Sequence, residues 1–199
     1  MQDICLGFDG SDSDDWTCIR AETRDGFQFT PTYGPDNLPT LWDPAEHGGR
    51  IPRSEVDAAV ADLFAKYRVV RMYCDPPWWQ SEIEAWALRY GEKKVLEFPT
   101  YRPTQMHAAL QRFVTDLSTG ALTHDDCKVT KIHVGNARKA AKPGDRYILT
   151  KPAGAYHQKI DAAVTSVLAH EAASDARADG WPEETTTYVY TSSTTRRRG

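Results

Sequence analysis

The sequence predicts an α/β fold in which a mixed β-sheet carries helices on both of its faces. Three observations lead to this prediction. Three strand-like segments precede residue 54 and are typical of an antiparallel meander. From residue 54 onward, apolar residues recur at helical spacing. Helix-like and strand-like segments then alternate, which predicts later strands that join the sheet in parallel.

The predicted meander occupies the first third of the chain. Residues 3–9 (DICLGFD) and 15–22 (DWTCIRAE) are strand candidates, and the Asp-Gly pair in TRDG indicates a hairpin that leads into FQFTPTY. Residues 34–52 are rich in Pro and Gly and are predicted to form a loop, with Trp42 as its anchor.

A helix is predicted to begin at Ser54, which is a candidate N-cap. Its apolar residues are Val56, Ala59, Val60, Leu63, Phe64 and Tyr67. The β-rich run VVRMYCD follows at 69–75 and ends at two prolines, which cannot continue a strand ladder.

The remaining elements continue the alternation. They are a helix at 78–90, the strand KKVLEFPT, a helix at 104–118 with Leu110, Phe113, Val114 and Leu117 facing inward, a helix at roughly 125–141, the short strand RYILTK, and a last helix at about 157–178 with Ile160, Val164, Val167 and Leu168 on one stripe. Residues 180–199 are rich in Thr and Ser and are predicted to be a flexible tail. Residues 1–179 then form the domain.

Length and composition fit one globular domain with a hydrophobic core. The chain has 199 residues, of which 40% are hydrophobic and 26% are charged. No segment has the character of a membrane span or a secretory signal. The cysteines form no CxxC pair, which favours reduced thiols over a zinc site. They are Cys5, Cys18, Cys74 and Cys127.

Basic residues concentrate between positions 128 and 159, although the whole chain carries a net charge of −4. This segment holds eight of the 24 basic residues but one of the 28 acidic ones. The basic residues are Lys128, Lys131, Arg138, Lys139, Lys142, Arg146, Lys151 and Lys159. The segment is therefore either a solvated basic face or a surface that binds phosphate groups.

The stretch LGFDGSDSDDWT concentrates four aspartates just after the first apolar run. An EF-hand loop beginning at Asp9 would need Gly at its sixth position and Glu at its twelfth, where Asp14 and Arg20 stand. A hairpin turn accounts for the acids in the middle of the stretch. Asp9 lies at the end of the strand instead, so a functional role stays open for it.

Two further acids occur at comparable points in the predicted fold. Asp75 ends the strand at 69–75, and Asp161 opens the last helix. Each has a simpler interpretation, as an acid before proline or an acid in the first turn of a helix. Because ligands gather at the carboxyl ends of strands in such sheets, Asp9 and Asp75 are expected to meet there. Three carboxylates brought together repel one another and require a cation, for which Mg²⁺ or Mn²⁺ suits oxygen ligands.

Seven stretches occur in an order and spacing that are more specific than any of them alone. They are GFDGSDSDDWT, IPRSEVDAAVADLF, MYCDPPWWQSEIEAWALRYG, VLEFPT, LTHDD, KIHVGNA and KIDAAVTSVLAHEA. Together they resemble the C-terminal nuclease domain of a tailed-bacteriophage terminase large subunit, which has an RNase H-like fold. The resemblance covers nearly all of residues 3–175.

The resemblance implies roles for individual residues. Asp9 would bridge two Mg²⁺ or Mn²⁺ ions, with Asp75 and Asp161 each completing one site, and Asp15 would be an additional acid or an exposed turn residue. Water would attack the phosphorus in line, with one ion activating it and the second stabilising the leaving 3′ oxygen. His133 and Asn136 would touch DNA or only pack. The candidate DNA-binding cations are Lys128, Lys131, Arg138, Lys139, Lys142 and Lys159.

The resemblance implies a metal-dependent endonuclease that cuts concatemeric double-stranded viral DNA in the cytoplasm of the infected bacterium. Its implied partners are the small terminase subunit, the portal and an N-terminal packaging ATPase domain. No GxxxxGK[ST] motif occurs here, so that ATPase is expected to be missing from this chain. Alternative interpretations are a junction resolvase or transposase of the same fold, or a module that binds DNA or the portal without cutting.

Overall fold

The structure is a computed structural model, and it describes residues 1–181 of the chain. The predicted flexible tail at 180–199 therefore lies outside the described residues, except for Gly180 and Trp181. Trp181 is buried, and its indole Nε1 donates to Asp3 Oδ2 at 3.2 Å. No helix within residues 1–181 is long and apolar enough to cross a membrane.

The described residues form eleven strands and five α-helices. The strands are β1 (Asp3–Asp9), β2 (Thr17–Thr23), β3 (Phe27–Phe29), β4 (Thr32–Tyr33), β5 (Leu38–Pro39), β6 (Leu41–Trp42), β7 (Arg68–Cys74), β8 (Val95–Glu97), β9 (Thr123–His124), β10 (Arg138–Lys142) and β11 (Arg146–Thr150). The helices are α1 (Arg53–Lys66), α2 (Gln80–Tyr90), α3 (Pro103–Thr119), α4 (Lys128–Asn136) and α5 (Asp161–Ala178), with a 3₁₀ turn at Pro44–His47.

The main sheet has the strand order β8-β7-β1-β2-β3-β9, with β6 paired beside β2. The pairs β1–β2 and β2–β3 are antiparallel, whereas β1–β7 and β7–β8 are parallel. This arrangement confirms the predicted mixed sheet, which begins as a three-strand meander and continues with parallel strands. The short strands β4 and β5 form a separate pair, in which β4 belongs to the predicted strand FQFTPTY and β5 lies within the predicted loop.

Strand β1 lies at the centre of the sheet and contributes to a hydrophobic core on each face. Because successive side chains of a strand point to opposite faces, Leu6 and Phe8 pack on one side and Cys5 on the other. The first core includes residues of α1 and α2, and the second includes residues of α3 and α5. Helices therefore cover both faces of the sheet, as predicted.

Helix α5 packs closely on β1, and Gly7 makes this approach possible. A Cβ atom at Gly7 would lie 2.3 Å from the carbonyl oxygen of Thr165 and 2.5 Å from the backbone nitrogen of Ala169. Since such distances are far below van der Waals contact, any side chain at this position would force the helix away from the strand. Gly7 thus allows the short packing distance between α5 and the sheet.

The structure corrects two predictions about helices. The helix predicted at roughly 125–141 is α4, which spans only Lys128–Asn136, and the chain then turns back into the β10–β11 hairpin. In α3, Leu110 and Phe113 are buried as predicted, but Val114 and Leu117 are 48% and 38% exposed. Those two side chains do not belong to the core.

Other predictions on packing are confirmed. Trp42 is buried and anchors the Pro- and Gly-rich region. The stripe on the last helix is buried throughout, although α5 begins at Asp161 rather than near 157. The hairpin formed by β10 and β11 lies beside α3, where the backbone N–H of Tyr147 donates to His107 Nδ1 at 3.2 Å.

Candidate active site

The ends of β1 and β7 bring two acids to the same edge of the sheet. Asp9 is the last residue of β1, and Asp75 directly follows β7. The backbone N–H of Asp75 donates to the carbonyl oxygen of Phe8 at 3.0 Å. Because the two strands are parallel and adjacent, the residue that follows each one emerges beside the other.

Asp161 lies at the same edge of the sheet, because it is the first residue of α5 and this helix begins next to the end of β1. Its Oδ2 accepts a hydrogen bond from the backbone N–H of Trp16 at 3.4 Å. Asp9 and Asp161 line the same cleft, whose volume is about 190 Å³. The cleft is lined by Asp9, Gly10, Ser11, Asp15, Trp16, Pro77, Trp78 and Asp161.

The carboxylates of this edge destabilise one another in their charged forms. Burial raises the pKa of Asp9 well above its ordinary value, and the charges of Asp161 and Asp75 raise it further. Burial and the charge of Asp15 raise the pKa of Asp161 to about 6. The edge therefore carries negative charge that the protein leaves only partly compensated.

The carboxylate of Asp75 is hydrogen-bonded to Thr100 and does not line the cleft. The backbone N–H of Thr100 donates to Asp75 Oδ1 at 3.1 Å, and its hydroxyl donates to Oδ2 at 2.6 Å. Burial raises the pKa of Asp75 even though these two hydrogen bonds lower it. Within residues 1–181, no three His, Cys, Asp or Glu side chains are grouped as a ready-made metal site.

Asp15 is paired with two lysines, which the sequence interpretation did not connect to it. Its carboxylate accepts hydrogen bonds from Lys151 and from Lys159, the latter at 2.8 Å. Burial disfavours the charged carboxylate, but these two hydrogen bonds outweigh burial and lower the pKa of Asp15. Lys159 also donates to the carbonyl oxygen of Asp14 at 2.5 Å. Two cationic groups thus lie at the rim of the acidic cleft.

His133 and Asn136 belong to the packing between α4 and the start of α5. His133 is 3% exposed, and its Nδ1 accepts from the backbone N–H of Ala162 at 3.1 Å. Burial lowers the pKa of His133 to about 4, which keeps the ring neutral. Asn136 Nδ2 donates to the carbonyl oxygen of Lys159 at 2.9 Å. Both side chains thus make packing contacts, which is one of the two interpretations of these residues.

The remaining candidate cations lie on α4 and on the β10–β11 hairpin. Lys128, Lys131, Arg138 and Lys139 are exposed, and Lys142 is half-buried. Lys131 is paired with Asp126 at 2.9 Å, and Arg138 donates to three carbonyl oxygens at the end of α4. Lys139 extends over the ring of Tyr147 at 4.4 Å.

Trp79 fixes the floor beside Asp9. Its buried indole donates to the carbonyl oxygen of Ser11 at 2.9 Å. A Cβ atom at Gly10 would lie 2.3 Å from Trp79 Nε1, so Gly10 is needed for space. The sequence alone assigns no role to Thr100 or Trp78, and it places Lys151 only within the basic segment. The double tryptophan of PPWW is the sequence signal that could have pointed to Trp78.

No known protein-family model matches the sequence. The chain is 33% identical over 184 residues to the Gene 13 protein of Mycobacterium phage D29, an alignment that takes in 87% of this chain and 30% of that protein. The chain thus spans about 30% of the length of the curated relative it matches.

Solved structures of phage large terminases share its fold. The large terminase nuclease from thermophilic phage G20c with bound magnesium matches with a TM-score of 0.59 and 11% identity, covering 85% of this chain and 81% of that one. The HK97 bacteriophage large terminase matches with a TM-score of 0.64 and 16% identity, covering 85% of this chain and 39% of that one. These matches show that the chain shares its mixed-sheet fold with phage large-terminase nuclease domains.

Proposed function

Because the chain has the fold of phage large-terminase nuclease domains, we propose that it is the nuclease domain of a tailed-phage terminase. In this proposal it cuts concatemeric double-stranded viral DNA into packaged lengths, in the cytoplasm of the infected bacterium. The observation that carries the proposal is the meeting of Asp9, Asp75 and Asp161 at one edge of the sheet, where burial raises the pKa of each.

The chemistry of these donors fits a divalent cation. All three are carboxylates, the ligands that Mg²⁺ and Mn²⁺ prefer, and the charges of Asp161 and Asp75 both destabilise the charged form of Asp9. We therefore propose that Asp9, Asp75 and Asp161 would hold the divalent ions. Such ions, when bound, lower the pKa of a nucleophilic water and stabilise charge on the leaving oxygen. The bound magnesium of the G20c nuclease supports the use of a divalent metal ion, and the assignment to these three residues is part of the proposal.

Asp75 and Thr100 constitute the part of the site that must rearrange. Asp75 does not line the cleft, since Thr100 holds both of its oxygens. To act as a ligand it must turn one oxygen toward Asp9, which leaves the other oxygen to Thr100. The residue would then keep a fixed orientation through its second hydrogen bond, as outer hydrogen bonds do for metal ligands in general.

Lys151 and Lys159 are suited to hold a phosphate group at the rim of the cleft. Both are bound to Asp15, which itself lines the cleft beside Asp9 and Asp161. In this role Asp15 orients the two ammonium groups, and a DNA phosphate competes with it for them. Charge-assisted hydrogen bonds of this kind are stronger than neutral ones and fix the substrate in place.

The duplex is proposed to extend from the cleft toward α4 and the hairpin. Lys128, Lys131, Arg138, Lys139 and Lys142 contact the backbone there, in a segment that holds one acid, Asp145. None of these contacts reads base edges, so they would supply affinity without sequence preference.

The remaining activities of a terminase would come from other parts of the assembly. The chain spans 30% of the D29 Gene 13 protein, and it contains no GxxxxGK[ST] phosphate-binding motif. We propose that a packaging ATPase domain, the small terminase subunit and the portal are its partners, and that these hold DNA at the cleft.

The test is cleavage of supercoiled plasmid with Mg²⁺ or Mn²⁺. We expect nicked and linear products that excess chelator prevents. Asp9→Asn and Asp161→Asn should each abolish cutting, because either loss removes a carboxylate of the site. Asp36→Asn is a matched control, since Asp36 is an exposed acid in the loop between β4 and β5.

Three results would contradict the proposal. Cutting that continues in excess chelator, or in both site variants, would exclude these carboxylates as metal ligands. Binding of DNA without any cutting in either metal would instead favour the alternative of a DNA-binding module. Joining of strands in addition to cutting would indicate a transposase.

A further inference from the structure

Trp78 is the most unusual residue at the candidate active site. It is 74% exposed and lines the cleft together with Asp9 and Asp161. Its backbone has a φ of 68°, a left-handed conformation that bulky L-residues rarely adopt. A large apolar side chain is therefore held in solvent by a strained backbone, next to the reacting groups.

The segment around Trp78 is fixed on both sides, so the strain is imposed rather than relaxed. Pro76 and Pro77 precede it, and the N–H of Trp79 donates to the carbonyl oxygen of Pro76 at 3.1 Å. Trp79 is buried with its indole bound to the carbonyl oxygen of Ser11. The chain cannot turn Trp78 inward without disturbing these contacts.

Arg53 completes the clamp from α1. Its Nη2 donates to the carbonyl oxygen of Trp78 at 2.7 Å, and its guanidinium lies over the ring of Trp79 at 4.5 Å. The same guanidinium is paired with Glu82 at 2.7 Å and with Asp12 at 3.4 Å. Three groups, the Trp79 ring, Glu82 and Asp12, thus hold one arginine against the backbone of Trp78. Strained residues that the surrounding structure fixes in this way cluster at ligand-binding sites.

We infer that Trp78 stacks on an unpaired nucleobase next to the phosphate being cut. The inference rests on the proposed nuclease function and adds a base contact to a site otherwise built from backbone contacts. A tryptophan ring offers a flat face to any base, so stacking gives affinity without sequence preference. The base must be unstacked from its neighbour before the ring can reach it, so the site would favour locally opened DNA over intact duplex.

The contact would position the strand rather than take part in bond breaking. The indole of Trp78 carries no titratable group, so it cannot donate or accept a proton as the carboxylates can. A base stacked on Trp78 would fix the DNA strand at one point of the cleft, while Lys151 and Lys159 hold a phosphate group at the rim. Trp78 is thus a positioning residue, and its loss should raise KM more than it lowers kcat.

The binding test uses a 12-nucleotide single strand in excess chelator, which separates binding from cutting. Trp78→Ala should weaken binding by roughly 5- to 150-fold, the range found for base–aromatic stacking. Trp78→Phe should retain most of the affinity, since it keeps a ring. An oligonucleotide of abasic sites should bind wild type and Trp78→Ala equally. Leu88→Ala, which shortens an equally exposed apolar residue on α2, should change nothing.

Two further measurements separate stacking from a structural role. Tryptophan fluorescence assigned to Trp78, by subtraction of the Trp78→Phe signal, should be quenched when the oligonucleotide binds. Trp78→Gly should bind as weakly as Trp78→Ala but melt at or above the wild-type temperature, because glycine adopts φ 68° without strain. A large fall in melting temperature in both variants would assign Trp78 to stability and overturn the inference.

The outcomes also separate this inference from the proposed function. Wild-type protein that cuts plasmid, with a Trp78→Ala variant of equal KM and equal oligonucleotide affinity, would refute stacking and leave the nuclease intact. Wild-type protein that cuts no plasmid would refute the nuclease. The fluorescence and abasic-site results would then decide stacking by themselves: quenching with affinity that depends on the bases would support it, and their absence would refute it.

Discussion

Replacing Asp161 by Asn should stabilise the metal-free protein, because the wild-type carboxylate is held in an unfavourable place. Burial and the charge of Asp15 raise the pKa of Asp161 from 3.8 to about 6. A rise of about two units corresponds to roughly 3 kcal/mol of unfolding free energy lost once the group is ionised in both states. The hydrogen bond from the N–H of Trp16 at 3.4 Å can also be accepted by an amide oxygen.

The sign of the pH dependence follows from the direction of the shift. The folded state holds its proton more tightly than the unfolded state, so this contribution to stability is full below about pH 4 and is lost as pH rises through about 6. Wild-type stability should therefore fall across this window for reasons local to Asp161. Asp161→Asn has no titrating group at position 161, so the variant should not lose this contribution to stability as pH rises.

The assay is thermal unfolding in excess chelator at pH 8 and pH 5. At pH 8 Asp161→Asn should melt up to about 6–12 °C above wild type, since each kcal/mol shifts a domain of this size by about 2–4 °C. At pH 5 roughly half of that gain should remain. Asp36→Asn should change neither value by more than about a degree, as expected for an exposed acid.

Metal provides the complementary measurement, and a specific outcome would refute the reasoning. Mg²⁺ or Mn²⁺ should raise the melting temperature of wild type more than that of Asp161→Asn, because only wild type keeps the full set of carboxylates. A variant that melts at or below wild type at pH 8, or gains equally at both pH values, would show that the Asp161 carboxylate is not destabilised by its surroundings.

Three further predictions concern other parts of the fold. Asp75→Asn should keep or raise the melting temperature without metal and abolish plasmid cutting, because an amide can still bond to Thr100; a large loss of stability would assign Asp75 to structure. The logarithm of DNA affinity should fall with the logarithm of salt concentration at a slope of roughly −3.6, if about four cations meet phosphates. Lys139→Ala combined with Lys142→Ala should make that slope shallower by about 1.8, and an unchanged slope would remove the hairpin from the interface. Gly7→Ala should lower stability by about 1–3 kcal/mol in denaturant unfolding and reduce cutting, since its Cβ would press on α5; wild-type stability would contradict the close packing.

The sequence was informative where the backbone decides the outcome. Strand β1 and strand β7 were recognised by their apolar runs, and the rule for parallel strands then predicted that Asp9 and Asp75 follow them at one edge. The hydrogen bond from the N–H of Asp75 to the carbonyl oxygen of Phe8 is the structural counterpart of that rule. The stripe of α5 was equally clear, because helical spacing of apolar residues is a strong signal.

Strand β11 is confirmed at RYILT, but β10 is not predicted, because local preferences there conflict with tertiary pairing. The stretch ARKAAK is composed of good helix formers, so a continuous helix through 141 was the natural prediction. In the structure Ala137 takes an extended conformation at the end of α4, and Arg138 donates to the carbonyl oxygens there. The signal that opposes a helix was Pro-Gly-Asp at 143–145, where Gly144 and Asp145 both have positive φ.

The residues that pair with the acids could not be predicted from the sequence, because these contacts join distant parts of the chain. Lys151 meets Asp15 across 136 residues of chain, and no local pattern reports such a contact. The placement of the acids themselves needs very few particular residues: a parallel pairing of β1 with β7, a helix that starts at Asp161, and a glycine at 7 that lets the helix approach. A fold that meets those conditions tolerates wide change elsewhere. Matching backbones at 11% and 16% identity are what such a requirement permits.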